Sequence, residues 1–234
     1  MAYTDIDDPS AYFQTVLYTG DNANTKAITF DGNSDLDLSS GGLWWGKTRS
    51  TARNHQWIDS IRGVTKTLQS NVTNAELSSD SSGFLASFNS NGFTTQKGSY
   101  DNGNVNMSGR TYVNWCWKAG TSFSNSAGAN GATIASTGSV NQDAGFSIVS
   151  YTGNATNGAK VGHGLSSAPQ MVITKSRASS GSWQVLTNIY TSYSEGDFIY
   201  LNETDAKANS ANVSFLPTST TWQMKSGQAG NTSS

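Results

Sequence analysis

Two stretches of the chain read alike and in the same order, and this internal repeat constrains the fold more than any other feature. Phe13-Gln14-Thr15-Val16-Leu17-Tyr18-Thr19-Gly20 returns as Phe146-Ser147-Ile148-Val149-Ser150-Tyr151-Thr152-Gly153. Lys47-Thr48-Arg49 returns as Lys175-Ser176-Arg177, Gln56-Trp57-Ile58 as Gln184-Val185-Leu186, and Asn71-Val72-Thr73-Asn74-Ala75 as Asn202-Glu203-Thr204-Asp205-Ala206. The copies lie 133 residues apart at Phe13 and 128 apart at Lys47. A near-constant offset broken by small insertions is the mark of a tandem duplication, and each copy must then be able to close a core of its own. The 234 residues divide naturally into two lobes of about 100 to 120 residues, an ordinary domain size.

Only 13% of the residues are charged, about half the usual share, and uncharged polar residues alternate with β-branched and aromatic ones. That pattern suits strands with one face on a core and one in water. Strands are expected near residues 15–19, 27–30, 43–47, 56–58, 65–70, 84–88, 93–96 and 112–117, punctuated by Asp31-Gly32, Asn91-Gly92 and Asn102-Gly103 turns. Thr73 and Glu76 have capping-box spacing, so the one helix-like stretch is a single turn at 73–77. The expected fold is all-β, two tandem antiparallel β-sandwich domains of jelly-roll or concanavalin-like type. The boundaries are an N-terminal arm at 1–12, copy 1 at 13–118, a Gly/Ser-rich linker at 119–144 in which 133–140 can pair as a short strand, and copy 2 at 145–234. Copy 2 ends without a counterpart of Thr111-Tyr112-Val113-Asn114-Trp115-Cys116-Trp117. A sheet lacking that strand carries an unpaired edge, so either the natural polypeptide continues or another chain supplies the strand.

A net charge of −2 offers no basic footprint for nucleic acid. The first residues carry neither a basic nor an apolar segment, and no apolar run approaches the length of a bilayer span, so synthesis in a cytoplasm without secretion or membrane insertion is expected. The single cysteine, Cys116, reads as a buried small hydrophobe.

The residues give little support to an enzyme. His55 and His163 are the only histidines and occupy non-equivalent places in the two copies, with His163 in a Gly-His-Gly turn. No nucleophile elbow, zinc-binding His pair or Cys-x-x-Cys occurs, and no cofactor is expected. Glu76, Glu195 and Glu203 are scattered among turns and Asp59 aligns with Thr187, so no carboxylate pair of the glycosidase kind repeats. The oxygen-rich run Asp31, Asn33, Asp35, Asp37 resembles the first half of a calcium loop but lacks its glycine and closing glutamate, and reads as a polar turn. Lys47 and Arg49, like Lys175 and Arg177, are two apart on a strand and so share a face, either a solvated one or a contact for an anionic partner. Of the adjacent Trp44 and Trp45 one must face outward, and Trp57, Trp183 and Trp222 lie near loops. An exposed Trp offers a platform for a sugar ring or a protein partner. Trp115 and Trp117, on one face with Val113, are expected in the core.

The N-terminal run Ala2-Tyr3-Thr4-Asp5-Ile6-Asp7-Asp8-Pro9-Ser10-Ala11-Tyr12-Phe13, the Tyr-Thr-Gly strand ends, Ser60 to Lys66, Ser70 to Glu76, and Gly162-His163-Gly164-Leu165 followed by Ala168 to Ile173 resemble the repeated concanavalin-like domains of tailed-phage structural proteins, common in marine phages. The resemblance implies a non-enzymatic component of the virion surface. It implies a tail fibre or adhesin for host attachment, or alternatively a capsid-decoration or head-fibre protein. Its partners would be other virion proteins and a host surface glycan, and it would assemble as a homo-oligomer; trimers are common among fibres, but no heptads or triple-β repeats in this sequence mark one. A short, partly apolar arm around Ile6, Pro9 and Tyr12 would anchor it. A soluble carbohydrate-binding module is the rival from another class.

Overall fold

In the computed structural model, residues 6–189 and 192–232 are described. They form an all-β protein whose contacts divide it into two compact units. Unit 1 comprises Met1–Gln69 and Glu76–Thr121; unit 2 comprises Ser70–Ala75 and Ser122–Ser234. The first five residues of the expected arm lie outside the described residues.

Unit 1 contains β1 (Phe13–Thr19), β2 (Thr25–Ile28), β3 (Gly42–Thr48), β4 (Gln56–Asp59), β5 (Lys66–Gln69), β6 (Leu77–Ser78), β7 (Phe84–Asn89), β8 (Gly92–Gln96) and β9 (Thr111–Lys118). They pair as a six-stranded sheet in the order β1-β9-β3-β4-β5-β6 and a three-stranded sheet in the order β2-β8-β7. All of these pairings are antiparallel. Both sheets line one core, which gathers Val16, Ile28, Trp44, Ile58, Leu85, Phe93 and Cys116 with Leu36, Leu38 and Val105 from connecting segments. The period of two does the sorting. In β9, Tyr112, Asn114 and Cys116 are buried, while Val113, Trp115 and Trp117 between them stand on the other face, half-buried.

Unit 2 repeats this order. Its strands are β10 (Thr121–Asn125), β11 (Ser136–Asn141), β12 (Phe146–Tyr151), β13 (Ala159–Gly162), β14 (Met171–Thr174), β15 (Gln184–Thr187), β16 (Asp197–Tyr200), β17 (Ala208–Asn209), β18 (Leu216–Pro217) and β19 (Thr221–Met224). The series β14-β15-β16-β17 reproduces β3-β4-β5-β6, and β13-β19-β18 reproduces β2-β8-β7. A second core collects Ala159, Val161, Leu186, Phe198, Val213, Phe215, Trp222 and Met224. The third sheet, β10-β11-β12, has no counterpart in unit 1.

The structure adds detail at three places. Within the 119–144 segment the short strand allowed at 133–140 forms as β11, which pairs with β12 along its whole length, Ser136 opposite Tyr151 through Asn141 opposite Phe146, and β10 and a 3-10 turn (Ala129–Gly131) precede it. Residues 73–77 form no helical turn, and the carboxylate of Glu76 accepts from Arg62. The described part of the arm is fastened to unit 1. Asp8 caps the 3-10 turn Pro9–Ala11 by accepting from Ser10 N at 2.9 Å, and it also accepts from Ser34 Oγ at 2.6 Å. These bonds hold the Asp8 carboxyl below its usual range. Tyr12 O accepts from Lys118 N at 2.9 Å, leaving Pro9 exposed and Ile6 and Tyr12 half-buried.

Candidate binding face

The outward side of the six-stranded sheet in unit 1 is an aromatic surface. Strand register places Thr15, Trp115, Trp45, Trp57 and Leu68 in one row across β1, β9, β3, β4 and β5. The next row along sets Phe13 beside Trp117 and Leu43, and the row on the opposite side sets Leu17 beside Val113 and Lys47. Trp45 is the hub. Its ring centroid lies 5.1 Å from Trp57, 5.6 Å from Trp115, 6.5 Å from Trp117 and 6.4 Å from the imidazole of His55. Phe13 packs on Trp117 at 4.8 Å. The four tryptophans are half-buried, and at the β1 border Phe13 is 37% and Leu17 58% exposed. Tilted rings at these separations are favourable aromatic geometry, so the face is a rigid, preorganised platform.

Its electrostatics are simple. Lys47 borders the platform with its ammonium turned to the carbonyls of Thr48 and Thr51, and burial lowers its pKa. The pKa of His55 is pushed down by burial and by the Lys47 charge, so the ring is neutral at pH 7. The arrangement is an apolar floor with one cation at its rim.

Sequence reasoning placed the tryptophans only in part. Trp44 is fully buried beneath Trp45 and meets Phe93 edge-on at 5.8 Å, and Trp183 is 2% exposed. Neither can be a surface contact, because each side chain points from its strand or loop into the interior. Trp115 and Trp117, expected in the core, belong to the outward face. The signal was present: on a strand, Cys116 cannot be buried on the same side as both of its neighbours. In unit 2 the equivalents of Trp45 and Trp57 are Ile173 and Val185, paired with each other as Trp45 pairs with Trp57, so the platform belongs to unit 1 alone.

The basic residues do not form strand pairs. β3 ends at Thr48 and β14 at Thr174, so Arg49, Lys175 and Arg177 lie beyond the strands. The lysines turn back to close the loops. Lys175 Nζ donates to Ser176 O at 2.7 Å and Ser179 O at 3.3 Å, repeating the Lys47 pattern, and Arg177 Nη1 donates to Ser150 Oγ at 3.2 Å. In the Asp31–Asp37 run, Asp31, Asn33 and Asp35 are exposed, and the Asp37 carboxylate accepts from Ser39 N at 2.9 Å and Ser39 Oγ at 2.6 Å. Among the described residues, no three His, Cys, Asp or Glu side chains are grouped to hold a metal ion.

Carboxylates converge elsewhere, around a cation. Arg62 Nε donates to Asp59 Oδ2 at 2.6 Å and Nη1 to Glu76 Oε2 at 3.1 Å, with further bonds to the carbonyls of Trp57 and Lys66. Two acids bridged by a buried guanidinium form a structural clasp, with no room between them for a scissile bond.

A family model described as a domain of unknown function, DUF7483, matches residues 8–234. The chain belongs to the DUF7483 family. No curated protein and no solved structure matches it. In this DUF7483 chain the match runs through both copies of the repeat and includes every residue of the aromatic face.

Proposed function

We propose that this DUF7483 chain is a non-enzymatic structural component of a tailed-phage virion, of the tail-fibre or adhesin type. It is built from two tandem β-sandwich units and presents the aromatic face of unit 1 to a host-surface glycan. The sequence resemblance supplies the virion setting. The observation that carries the binding reading is the row of Trp115, Trp45 and Trp57, neighbouring rings tilted against one another on one sheet face. Flat apolar rings match the C–H faces of pyranose sugars, and a rim ammonium suits an acidic or hydroxyl-rich saccharide. The repeated sheet order supports a display role, since the second unit carries the framework without the platform.

A glycan array read alongside size-exclusion chromatography tests this. Saturable binding to a glycan class, lost in Trp115→Ala while the protein stays folded, together with an oligomeric elution volume, is the expected result. A monomer with glycan affinity points instead to a soluble binding module, and an oligomer with no affinity to a purely structural shell component.

A further inference from the structure

Two arginines from different connections of unit 1 converge on Gly103, which lies between β8 and β9. Arg53 comes from the connection between β3 and β4, and Arg110 stands immediately before β9. A Cβ added at Gly103 would lie 2.6 Å from Arg53 Nη2 and 2.9 Å from Arg110 Nη1. Both guanidinium groups therefore crowd one point, and the bare backbone of Gly103 is what makes room for them.

The backbone beneath them is pinned. Gly103 O accepts from Thr48 Oγ1 at 3.1 Å and from Tyr112 Oη at 3.2 Å, and Asn104 N donates to Ser82 O at 2.9 Å. The amide of Asn102 donates to Ala23 O at 2.9 Å. A fixed floor of this kind holds the two cations in place before any ligand arrives.

The charges around them do not balance. Arg53 Nη2 donates to Asp101 Oδ2 at 2.7 Å and Nη1 to Ser82 Oγ at 3.2 Å, while Asp101 Oδ1 accepts from Gly103 N at 3.0 Å. That carboxylate is committed to Arg53 and to the backbone. Asp80, the other acid at this end, is turned to Ser82 N at 2.8 Å. Arg110 Nη1, shut off from solvent, has no hydrogen-bond partner among the described residues. A third guanidinium, that of exposed Arg49, stands alongside, since Arg49 N donates to Thr111 O at 2.7 Å. Tyr112 records the local field: burial raises its phenol pKa, opposed by the hydrogen bond from Met107 N and by the charges of Arg110 and Arg53. Guanidinium groups stay charged, so their mutual repulsion is relieved by an added negative charge rather than by loss of a proton. The side chains of Arg53 and Asp101 are 28% and 15% exposed, which leaves the pair within reach of a small ligand.

We propose that this end of unit 1 is an oxyanion site, in which Arg110 and Arg53 together hold one phosphate, sulfate or carboxylate group beside Gly103. Paired guanidinium forks match the oxygen geometry of such groups through charge-assisted hydrogen bonds. The anion is either free in solution or carried on a saccharide. Arg110 lies two residues before inward-facing Tyr112 and so keeps to the core side of the sheet, opposite to the tryptophans. The site is thus separate from the aromatic face, and the inference does not rest on the glycan reading.

The test titrates the full chain with sodium phosphate and, in a parallel arm, with a sulfated disaccharide, each against sodium chloride at matched ionic strength. Arginine side-chain N–H resonances report where the anion sits, and the melting temperature of unit 1 reports stabilisation. The expected result is saturable one-to-one movement of the Arg53 and Arg110 signals with a rise in melting temperature, weakened at least about tenfold in Arg110→Gln and much less in Arg49→Gln. Arg110→Lys, which keeps the charge but loses the fork, should fall between wild type and Arg110→Gln. Tighter binding of phosphate assigns the site to a free anion, and tighter binding of the disaccharide to an anionic saccharide. Equal responses to both anions and to chloride, or wild-type affinity in Arg110→Gln and Arg110→Lys, overturn the proposal.

Discussion

Asp59 and Arg62 lie three residues apart at the end of β4, and the guanidinium Nε meets the carboxylate Oδ2 at 2.6 Å with both side chains almost fully out of solvent, 6% and 4% exposed. Asp59 also accepts from the backbone N–H groups of Ile61 and Arg62, so the pair fixes the turn that sends the chain into β5. Glu76, 11% exposed, joins from the start of β6.

Removing the cation strands two acids. Arg62→Met should destabilise unit 1 by about 3–5 kcal/mol, the cost of leaving buried charge uncompensated. Asp59→Asn should cost less, because an amide still accepts from both turn N–H groups. Denaturant unfolding followed by fluorescence checks this, with the unit 1 transition moving and the unit 2 transition staying in place. A shift below about 1 kcal/mol for Arg62→Met would reduce the clasp to a surface pair.

Much of this fold was legible. The repeat, the strand positions and the tight turns follow from periodicity and from Gly and Asn placement, and strands formed at each expected place in unit 1. What escaped was decided by tertiary partners. In the 119–144 segment the short strand at 133–140 was legible, but its partner was not: pairing with β12 orders Ser136–Asn141. Thr73 and Glu76 have helical spacing, yet Arg62 claims the glutamate. The site was legible only as a list of tryptophans, since which face each takes depends on strand parity, and the parity of β9 is set by its register with β1 and β3.

That parity predicts a split between two neighbours. Trp44→Ala empties the centre of the unit 1 core and should cost about 3–5 kcal/mol. Trp45→Ala, on the half-exposed face, should cost clearly less while weakening glycan binding. Thermal melts and the glycan assay on the two variants check this, and equal destabilisation would mean that the outward face is packed as a core.

His163 gives unit 2 a pH signature. The ring is 2% exposed, its Nε2 lies 3.1 Å from Thr218 O, and its Nδ1 lies 3.1 Å from Leu165 N. The network assigns the proton to Nε2, so that Nδ1 accepts, which is the neutral form. Burial lowers the pKa, opposed by the bond to Thr218. A histidine with a depressed native pKa binds more protons unfolded than folded. Its contribution is therefore complete above about pH 6.5 and is lost as pH falls below that value. Asp197 acts in a lower window. Hydrogen bonds from Lys207, Asn209 and Ser194 N hold its pKa down to about 2, so its contribution is present above about pH 4 and lost towards pH 2. Melting unit 2 between pH 7 and 5 should show falling stability in wild type and a flatter profile in His163→Asn. Identical slopes would assign the effect to other groups.

Cys116 tells the two units apart. It is the single cysteine of the chain, fully buried on the core face of β9, and burial drives its thiol pKa well above the ordinary value. Only the thiolate attacks a disulfide reagent, so both access and ionisation protect the folded protein. At pH 8 an aromatic disulfide such as DTNB should leave the native chain unmodified over hours and react with one equivalent once unit 1 opens. Because β9 is paired on both sides, with β1 and with β3, labelling should follow the Arg62-sensitive transition and be indifferent to His163→Asn. Rapid labelling of the native protein would mean that β9 detaches readily from β1 and β3. Labelling that tracked the unit 2 transition would mean that the two units do not unfold independently.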